Sequence, residues 1–449
     1  MGFFKAYDMR GTFGIDFTLE TVYRVGRALP RVVPGKRWLV GRDFRLTSDA
    51  VKRALVAGLV EAGADVSDLG HCTTPMVYFF TAADGFDGSV MVTASHNPPA
   101  DNGLKVSMKT ALPVGYANGL GAVEHLVLSD MATYDPESPE PPATPVPDAL
   151  PRYVAWQKEH APDFGELRLA VDCSNGAAAL LAAELFPGAA LLNATPDGRF
   201  PNHSPNPLKA EARAQIAAFV RENRLDCGVI FDGDADRAMF VDENGEFVQP
   251  DYLVPFVAQA TLRTAPPENP VRIIHDVRTS RAAIEAIREM GCEPVMVPVG
   301  HAFAKPILRK VHALCGGELA GHYYFREFAG CDSGVLAATR ILGEAARAKA
   351  KGQSFSAMVA PVARRYANSG ELNYKVADKD AAIARILAVA EKELPPETGR
   401  ETMDGIRVEY AEGWFNVRKS NTEPYLRLIV ECDTTARLQD WVARFQAVL

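Results

Sequence analysis

The chain alternates short apolar segments with longer amphipathic segments, and this alternation limits the folds open to it. The segments at 38–43, 167–176 and 271–280 are apolar, and each is followed by a stretch rich in Ala, Leu and Arg with helical spacing. Strands that alternate with helices are typical of α/β domains. The sequence therefore predicts α/β structure over most of its 449 residues.

A weak repeat underlies this pattern in the first 340 residues. Each third opens with a strand that ends in a polar loop, continues with a helix, and closes with a second strand and a loop rich in functional groups. The closing loops are VTASHNPPADNG at 92–103, IFDGDADR at 230–237 and CGGELAGHYYF at 315–325. Because α/β folds bind ligands at strand ends, three similar domains that each give one loop to a shared cleft would explain the repeat.

The domain organisation follows from changes in composition along the chain. Proline and acidic residues dominate positions 135–151, as is typical of an interdomain linker. The C-terminal segment has another pattern, with two strands, a loop, a third strand and a helix. We predict three similar α/β domains with mixed sheets and a smaller C-terminal α+β domain around a central cleft. The predicted bounds are 1–140, 141–248, 249–362 and 363–449.

Charge and cysteine content exclude several classes of function. The net charge is -8, which disfavours a nucleic-acid partner because phosphate backbones require a basic surface. The seven cysteines include no CxxC pair, so we expect reduced thiols rather than disulfides or a zinc site. The sequence has no signal-peptide pattern and no apolar run long enough to span a bilayer. We therefore expect a cytoplasmic protein without a membrane partner.

The loop at 230–237 carries three alternating carboxylates, Asp232, Asp234 and Asp236, directly after an apolar strand. Carboxylates this close repel one another unless a hard cation binds them, and Mg²⁺ and Ca²⁺ prefer oxygen ligands. An EF-hand would require Gly at the position of Arg237 and helices on both sides, which excludes the calcium alternative. An acidic surface turn is less typical of a buried strand end with an adjacent arginine. We predict a magnesium site.

The loop at 92–103 presents Ser95 at the end of another apolar strand, beside His96 and ten residues before Lys105. A serine hydroxyl is a weak nucleophile until it is positioned and activated. A phosphoserine, by contrast, is a phosphoryl donor with nearly two negative charges, and it needs a cation such as the acidic loop can hold. An Asn-Pro turn with a structural serine is the alternative, but the two loops together favour a phosphoserine beside a metal ion.

Two further loops contain groups that suit a phosphorylated sugar. Glu318 and His322 are separated by small residues, which let a ligand approach the backbone. The segment RKSNTEP at 418–424 offers a guanidinium, hydroxyls and an amide, as a phosphate site requires. A turn without a ligand remains an open alternative for each loop. Other candidate side chains, each with a structural alternative, are Arg10, Arg42, Arg45, His301 and Lys305.

These motifs resemble those of the α-D-phosphohexomutases, specifically the bacterial phosphomannomutase/phosphoglucomutase branch. The shared motifs are KAYDMRG, TASHNP, DGDADR, GE-x-[SA]-GH and R-x-SNTEP, in the family's order between residues 5 and 427. The resemblance covers the whole chain and implies four domains around a cleft, the first three alike. In chain order it implies a phosphoserine domain, a metal-binding domain, a sugar-binding domain and a phosphate-binding C-terminal domain.

The resemblance also implies roles for individual residues. Ser95 would be the phosphoserine, and Asp232, Asp234 and Asp236 would hold one Mg²⁺ together with a phosphoserine oxygen. Glu318 would bind the O3 and O4 hydroxyls of the sugar. The residues that would grip the phosphate that does not react are Arg418, Ser420, Asn421 and Thr422. The other cleft residues would be Arg10, His96, Lys105 and Arg237 as catalytic groups, and Tyr7, Arg278, His301, Ala320 and His322 as substrate-binding groups.

The sequence departs from the family pattern at three positions. Ala320 stands where the family usually has Ser, which removes one hydroxyl donor. Arg278 follows Asp-Val where relatives commonly have Lys, and a guanidinium cannot give up a proton at working pH. We therefore expect Arg278 to act only as an electrostatic partner. Thr47 stands where Ser is usual, a change that we expect to be harmless.

The activity that the resemblance implies is phosphoryl transfer between O1 and O6 of mannose or glucose phosphate. A hexose 1,6-bisphosphate would be the intermediate and activator, and His96 and His322 remain alternative bases. The open alternatives are a phosphoglucosamine mutase, a non-catalytic phosphosugar-binding protein and a phosphatase with an Asp nucleophile. The phosphatase would have no use for the Ser95 loop or for the C-terminal phosphate site. We expect a small-molecule phosphosugar as partner, and a monomer or weak dimer.

Overall fold

The computed structural model describes residues 2–266, 268–420 and 425–449. In this part of the chain three mixed sheets follow one another, and a fourth sheet near the C-terminus is antiparallel throughout. Helices pack against each of them. The predicted fold class, three similar α/β domains and a smaller α+β domain, is confirmed. No helix among the described residues is long and apolar enough to cross a membrane.

The first domain has a seven-stranded sheet. Its strands are β1 (Met9–Thr12), β2 (Arg37–Arg42), β3 (Asp65–His71), β4 (Gly88–Val92), β5 (Asp101–Met108), β6 (Leu112–Pro113) and β7 (Thr144–Pro145), and its helices are α1 (Leu19–Val32), α2 (Ser48–Glu61), α3 (Thr74–Ala83) and α4 (Leu120–Ser129). The order is β1-β5-β4-β2-β3-β7, with β6 beside β5. Because β7 pairs with β3, this sheet extends into the predicted linker; the domain bounds themselves stay a prediction.

The second and third domains have five-stranded sheets. The second contains α5 (Ala149–His160), β8 (Leu169–Asp172), α6 (Ala182–Leu185), β9 (Ala190–Leu192), α7 (Ala210–Glu222), β10 (Cys227–Phe231), β11 (Ala238–Asp242) and β12 (Phe247–Val248). The third contains α8 (Val254–Leu262), β13 (Arg272–Asp276), α9 (Arg281–Glu289), β14 (Glu293–Val297), α10 (His301–Lys310), β15 (Cys315–Gly317), β16 (Tyr323–Phe325), β17 (Cys331–Asp332), α11 (Gly334–Lys349) and α12 (Phe355–Ala363).

The three closing loops occupy the same place in the three sheets. In each sheet one strand with a parallel neighbour, β4, β10 or β15, turns directly into an antiparallel strand, β5, β11 or β16. The connections are residues 93–100, 232–237 and 318–322. This shared topology explains why three loops with different chemistry recur at similar intervals in the sequence.

Helix caps fix the chain immediately beside these loops. The side chain of Ser280 accepts a hydrogen bond from the first turn of α9, and Ser333 does the same for α11. Such caps stabilise helix starts by about 1 kcal/mol. They therefore hold the preceding residues, Arg278 and Asp332, at defined positions before the helices.

The fourth domain contains an antiparallel sheet of order β18-β23-β22-β21-β20, with β19 beside β23. Its elements are β18 (Ala367–Asn368), β19 (Leu372–Tyr374), α13 (Lys379–Glu393), β20 (Gly399–Glu401), β21 (Ile406–Glu409), β22 (Gly413–Lys419), β23 (Leu426–Cys432) and α14 (Thr435–Gln446). Its apolar core, which includes Phe415, Trp441 and Phe445, is separate from the large core that links the first three domains.

Candidate active site

The serine predicted to carry phosphate lies at the end of β4 in a constrained backbone. Ser95 has a φ of 51° and is fully buried, and Arg45 donates a 2.9 Å hydrogen bond to its carbonyl oxygen. The Ser95 hydroxyl donates to Asp232 Oδ2 at 2.7 Å and lies 3.1 Å from His96 Nδ1. A Cβ at Gly233 would lie 2.6 Å from the Ser95 carbonyl oxygen, so only glycine lets the acidic loop approach this closely.

The three carboxylates of the acidic loop form a compact group of oxygen atoms. Asp232, Asp234 and Asp236 are fully buried, and one ligand atom of each lies within 4.8 Å of the others. Lys105 Nζ lies 2.8 Å from Asp234 Oδ2 and 2.5 Å from Asp236 Oδ2. Among the described residues, the Oδ1 atoms of these two aspartates have no hydrogen-bond partner. Buried carboxylate oxygens without donors suit a hard divalent cation.

The pKa values reflect this crowding of charge. Burial raises the pKa of Asp232 well above its usual range, and the carboxylates of Asp236 and Asp234 add to the rise. Burial also opposes the charge of Lys105, but the same two carboxylates outweigh it and raise the ammonium pKa. Burial and the nearby cations lower the pKa of His96 well below 6.5. These effects favour the neutral imidazole of His96.

The third-domain loop contacts the acidic loop through backbone and side chains. Arg237 and His322 form a backbone bridge, and Arg237 Nε donates to His322 Nε2 at 2.9 Å. The other ring nitrogen, Nδ1, lies 2.7 Å from Asp332 Oδ2. Asp332 in turn pairs with buried Lys305 at 2.7 Å. Both nitrogens of His322 are thus bonded, and its ring orientation is fixed.

Glu318 lies at the start of the same loop and is almost fully buried. Its Oε2 accepts a 3.2 Å hydrogen bond from the backbone of Gly300 and lies 3.7 Å from Arg278 Nη2. The Tyr324 hydroxyl bonds to Oε1. Burial raises the pKa of this carboxyl group. Ala320, at the turn of the loop, is half-buried. These contacts hold Glu318 in one orientation, as a side chain that recognises sugar hydroxyls requires.

The N-terminal segment lies beside the loops of the first and third domains. The Tyr7 ring lies 6.4 Å from the His301 ring, which lies 5.8 Å from the ring of His322. Arg10 donates to Asn97 at 3.1 Å, within the loop that carries the serine. The predicted residues of the first and third domains are therefore brought together around the acidic loop.

The fourth domain reaches the site through Arg418, near the end of β22. Arg418 and Arg278 both contact the carboxylate of Glu371, at 3.4 and 3.3 Å, so the guanidinium predicted for the second phosphate lies beside the third-domain loop. Ser420 is half-buried, and its backbone N–H donates a 2.9 Å hydrogen bond to the carbonyl oxygen of Tyr425. The predicted phosphate ligands Asn421 and Thr422 lie outside the described residues.

Sequence analysis did not identify four residues that support the site. Thr74 donates its hydroxyl to Asp234 Oδ2 at 2.6 Å and its backbone N–H to the Asp234 carbonyl at 3.0 Å. Tyr324, Asp332 and Glu371 contact predicted residues, as described above. Only Asp332 carried a usable signal, since it ends a strand and precedes a helix cap; the others make contacts that only the tertiary structure creates.

Comparison with known proteins identifies the family. Four consecutive regions match models described as phosphoglucomutase/phosphomannomutase alpha/beta/alpha domains I, II and III and the C-terminal domain, over residues 1–122, 148–245, 249–366 and 371–448. Fold and site thus define a multidomain α/β protein whose first three domains meet at a buried acidic loop. The chain belongs to the phosphoglucomutase/phosphomannomutase family, as its motifs predicted.

Relatives match along nearly the whole chain. A phosphomannomutase of Escherichia coli is 38% identical over 447 residues, which covers 95% of this chain and 94% of the relative. A protein named phosphohexose mutases from Xanthomonas campestris is 37% identical over 440 residues, with 97% and 96% covered. The crystal structure of a phosphoglucomutase/phosphomannomutase family protein from Burkholderia thailandensis superimposes with a TM-score of 0.86 at 30% identity, and covers 100% of this chain and 97% of that one.

Proposed function

We propose that this protein is a magnesium-dependent phosphohexomutase that transfers a phosphoryl group between O1 and O6 of mannose or glucose phosphate through phosphoserine at Ser95. The observation that carries the proposal is the 2.7 Å contact between the Ser95 hydroxyl and Asp232, in a loop held against three buried carboxylates. The names of the relatives, phosphomannomutase and phosphohexose mutases, favour mannose and glucose phosphates over glucosamine phosphate.

Asp232, Asp234 and Asp236 would hold the magnesium ion together with an oxygen of the phosphoserine. The carboxylate-only ligand set and the unbonded Oδ1 atoms of Asp234 and Asp236 fit a hard cation. When bound, the ion neutralises charge on the phosphoryl group, which is most of what phosphoryl transfer requires. Lys105, Arg10 and Arg237 add positive charge on the same side of the cleft.

The proton of the attacking sugar hydroxyl needs an acceptor. Both ring nitrogens of His322 are bonded, to Asp332 and Arg237, so we favour His96, which is neutral and lies beside the Ser95 hydroxyl. Its low pKa results from burial and nearby cations. A phosphoserine at position 95 adds nearly two negative charges, which would counteract those cations and make His96 a better base.

The far side of the cleft would hold the sugar and its second phosphate. Glu318 would accept hydrogen bonds from the O3 and O4 hydroxyls, and Arg418 with Ser420 and the adjacent Asn421 and Thr422 would bind the phosphate that does not react. Tyr7 and His301 would contact the sugar from the side. Arg278 would act as a fixed positive charge, and Ala320 offers no hydroxyl to the ligand. After the first transfer the hexose 1,6-bisphosphate turns over, so that its other phosphate faces Ser95.

Phosphorus NMR tests this function. The protein is mixed with Mg²⁺ and a trace of glucose 1,6-bisphosphate, and mannose, glucose and glucosamine 1-phosphates are supplied in separate tubes. We expect 6-phosphate signals from mannose or glucose, and none with Ser95→Ala. Ser89→Ala, on the strand β4 that leads into the Ser95 loop and equally buried, is the matched control and should stay active. Conversion of glucosamine phosphate alone would indicate the alternative specificity. No conversion, with no phosphate on Ser95 by mass spectrometry, would refute the proposal and favour a binding role.

A further inference from the structure

A single carboxylate lies among three guanidinium groups where the third and fourth domains meet. Glu371 accepts hydrogen bonds from Arg427 Nη1 at 2.9 Å, Arg278 Nη1 at 3.3 Å and Arg418 Nη2 at 3.4 Å. Arg278 comes from the third domain, whereas Arg418 and Arg427 face each other across β22 and β23 of the fourth. The three guanidiniums thus converge on one anion from two domains.

The three arginines differ in how well other carboxylates neutralise them. Arg278 has a second partner, Asp276, at 2.6 Å. Arg418 has a more distant second carboxylate among the described residues, Asp404, at 3.9 Å. Within the described part of the chain, Arg418 Nε is buried and has no hydrogen-bond acceptor. Arg418 is therefore a buried cation that still has room for an anionic partner.

Glu371 uses the groups that a phosphate would use. Carboxylate and phosphate both accept paired hydrogen bonds from guanidinium groups, so the two anions compete for the same donors. The side chain of Glu371 is 17% exposed, whereas those of Arg278 and Arg418 are 3% exposed. Arg427 is also 17% exposed, so the carboxylate is more accessible than Arg278 and Arg418, and it can move aside when another anion arrives.

We propose that Glu371 is an exchangeable counter-ion of the phosphate site, which holds Arg278, Arg418 and Arg427 in place and weakens their grip on a ligand phosphate. This inference rests on the proposed function, because the reaction requires a bisphosphate to leave the site, turn over and bind again. Without Glu371, the carboxylate left near Arg418 among the described residues would be Asp404, at 3.9 Å, and the group would retain a dianionic phosphate too strongly for that step. Glu371 offers them an alternative partner each time the phosphate leaves.

The test measures phosphate affinity separately from catalysis. Inorganic phosphate is titrated calorimetrically into Ser95→Ala and into Ser95→Ala/Glu371→Gln, and each titration is repeated with Arg418→Gln added to isolate the binding that depends on Arg418. We expect Glu371→Gln to tighten that binding roughly tenfold, because one charged competitor is removed. The control is Glu397→Gln, which removes an exposed fourth-domain carboxylate paired with Arg400 and should change nothing.

Turnover gives a second readout in chains that retain Ser95. Glu371→Gln should lower both KM and kcat, because the intermediate leaves the site more slowly. A residue that only supported the arginines would weaken binding when changed, so unchanged or weaker phosphate affinity in Glu371→Gln would overturn the proposal. Absence of any Arg418-dependent binding in the Ser95→Ala protein would overturn it too.

One outcome separates this inference from the proposed function. Tighter phosphate binding in Glu371→Gln, together with no mutase activity in the native chain, would support Glu371 as a counter-ion and refute the proposed mutase function. If Glu371→Gln does not fold, Glu371→Asp retains the charge and withdraws the carboxylate by one methylene. It should then tighten phosphate binding by less than tenfold, and no tightening at all would contradict the proposal.

Discussion

Replacement of Lys105 by Met tests whether this ammonium group takes the place of a divalent cation in the acidic loop. Its Nζ lies 2.8 Å from Asp234 and 2.5 Å from Asp236, and all three side chains are buried. Met is unbranched and apolar and fills irregular space well, so the change removes the charge with little loss of packing. The carboxylates are then left without their ammonium partner.

The magnitude follows from the burial of these groups. Removing one member of a buried ion pair costs about 3–5 kcal/mol. For a domain of roughly 150–250 residues, each kcal/mol of lost stability lowers the melting temperature by about 2–4 °C. We therefore expect the metal-free Lys105→Met protein to melt roughly 6–20 °C below the metal-free native chain. Mg²⁺ at about 100 to 1,000 times its Kd adds about 2.7–4.1 kcal/mol to the native state. Bound Mg²⁺ should therefore restore most of the stability that Lys105→Met loses.

Thermal unfolding at one scan rate, with EDTA or with increasing Mg²⁺, measures this effect. The matched control is Lys52→Met, whose ammonium pairs with Asp68 and Glu140 at 3.2 Å, outside the acidic loop. The control should melt lower than the native chain, with no larger response to Mg²⁺. A Lys105→Met protein that melts normally in EDTA, or that responds to Mg²⁺ no more than the control does, would refute the reasoning.

Two further substitutions test buried groups outside the acidic loop. Burial raises the pKa of Asp251 from 3.8 to about 7, so the folded state binds this proton more tightly and stability falls as pH rises from about 4 to about 7. Asp251→Asn retains an acceptor for the Ser280 N–H. Above neutral pH it should be more stable than the native chain by up to roughly 4 kcal/mol, with little difference near pH 4. Equal pH dependence of the unfolding free energy in the two proteins would contradict this. Arg407 donates 2.8 Å hydrogen bonds to the carbonyls of Val277 and Thr279 across the junction of the third and fourth domains. Arg407→Gln should therefore lower the free energy of unfolding by on the order of 3 kcal/mol and increase hydrogen exchange at this junction. Unchanged exchange there would argue against the contact.

The sequence predicts the parts of the site that depend on local order. An apolar strand followed by a polar loop is a local pattern, and it correctly indicated three alike α/β domains that present Ser95, the carboxylates and Glu318 at equivalent strand ends. The pairing of Asp232 with Ser95 was also inferable, because a phosphoserine and a carboxylate cluster each require the same cation. Those inferences needed only the chemistry of the residues and their spacing in the chain, and not the distances between them in the folded protein.

The contacts between domains could not be predicted in the same way. Thr74 looks like an ordinary helix start, and only the packing of the first domain on the second brings its hydroxyl to Asp234. Glu371 follows a glycine in a short turn and carries no motif. Its role depends on three arginines that lie 47 to 93 residues away in the chain. Long-range pairings of this kind leave no local pattern in a single sequence.

The charges of the cleft indicate how such a site remains stable without its ligands. Buried charges are costly unless they are paired, yet the proposed site for a metal ion and two phosphates contains both acidic and basic side chains. In this protein each kind serves as partner for the other: Lys105 lies between two aspartates, and Glu371 lies among three arginines. A ligand then exchanges with a partner that is already present. Under the proposed function Mg²⁺ would compete with Lys105 and phosphate would compete with Glu371. The two ends of the cleft would then release their ligands independently, as the turning of a bisphosphate between them requires.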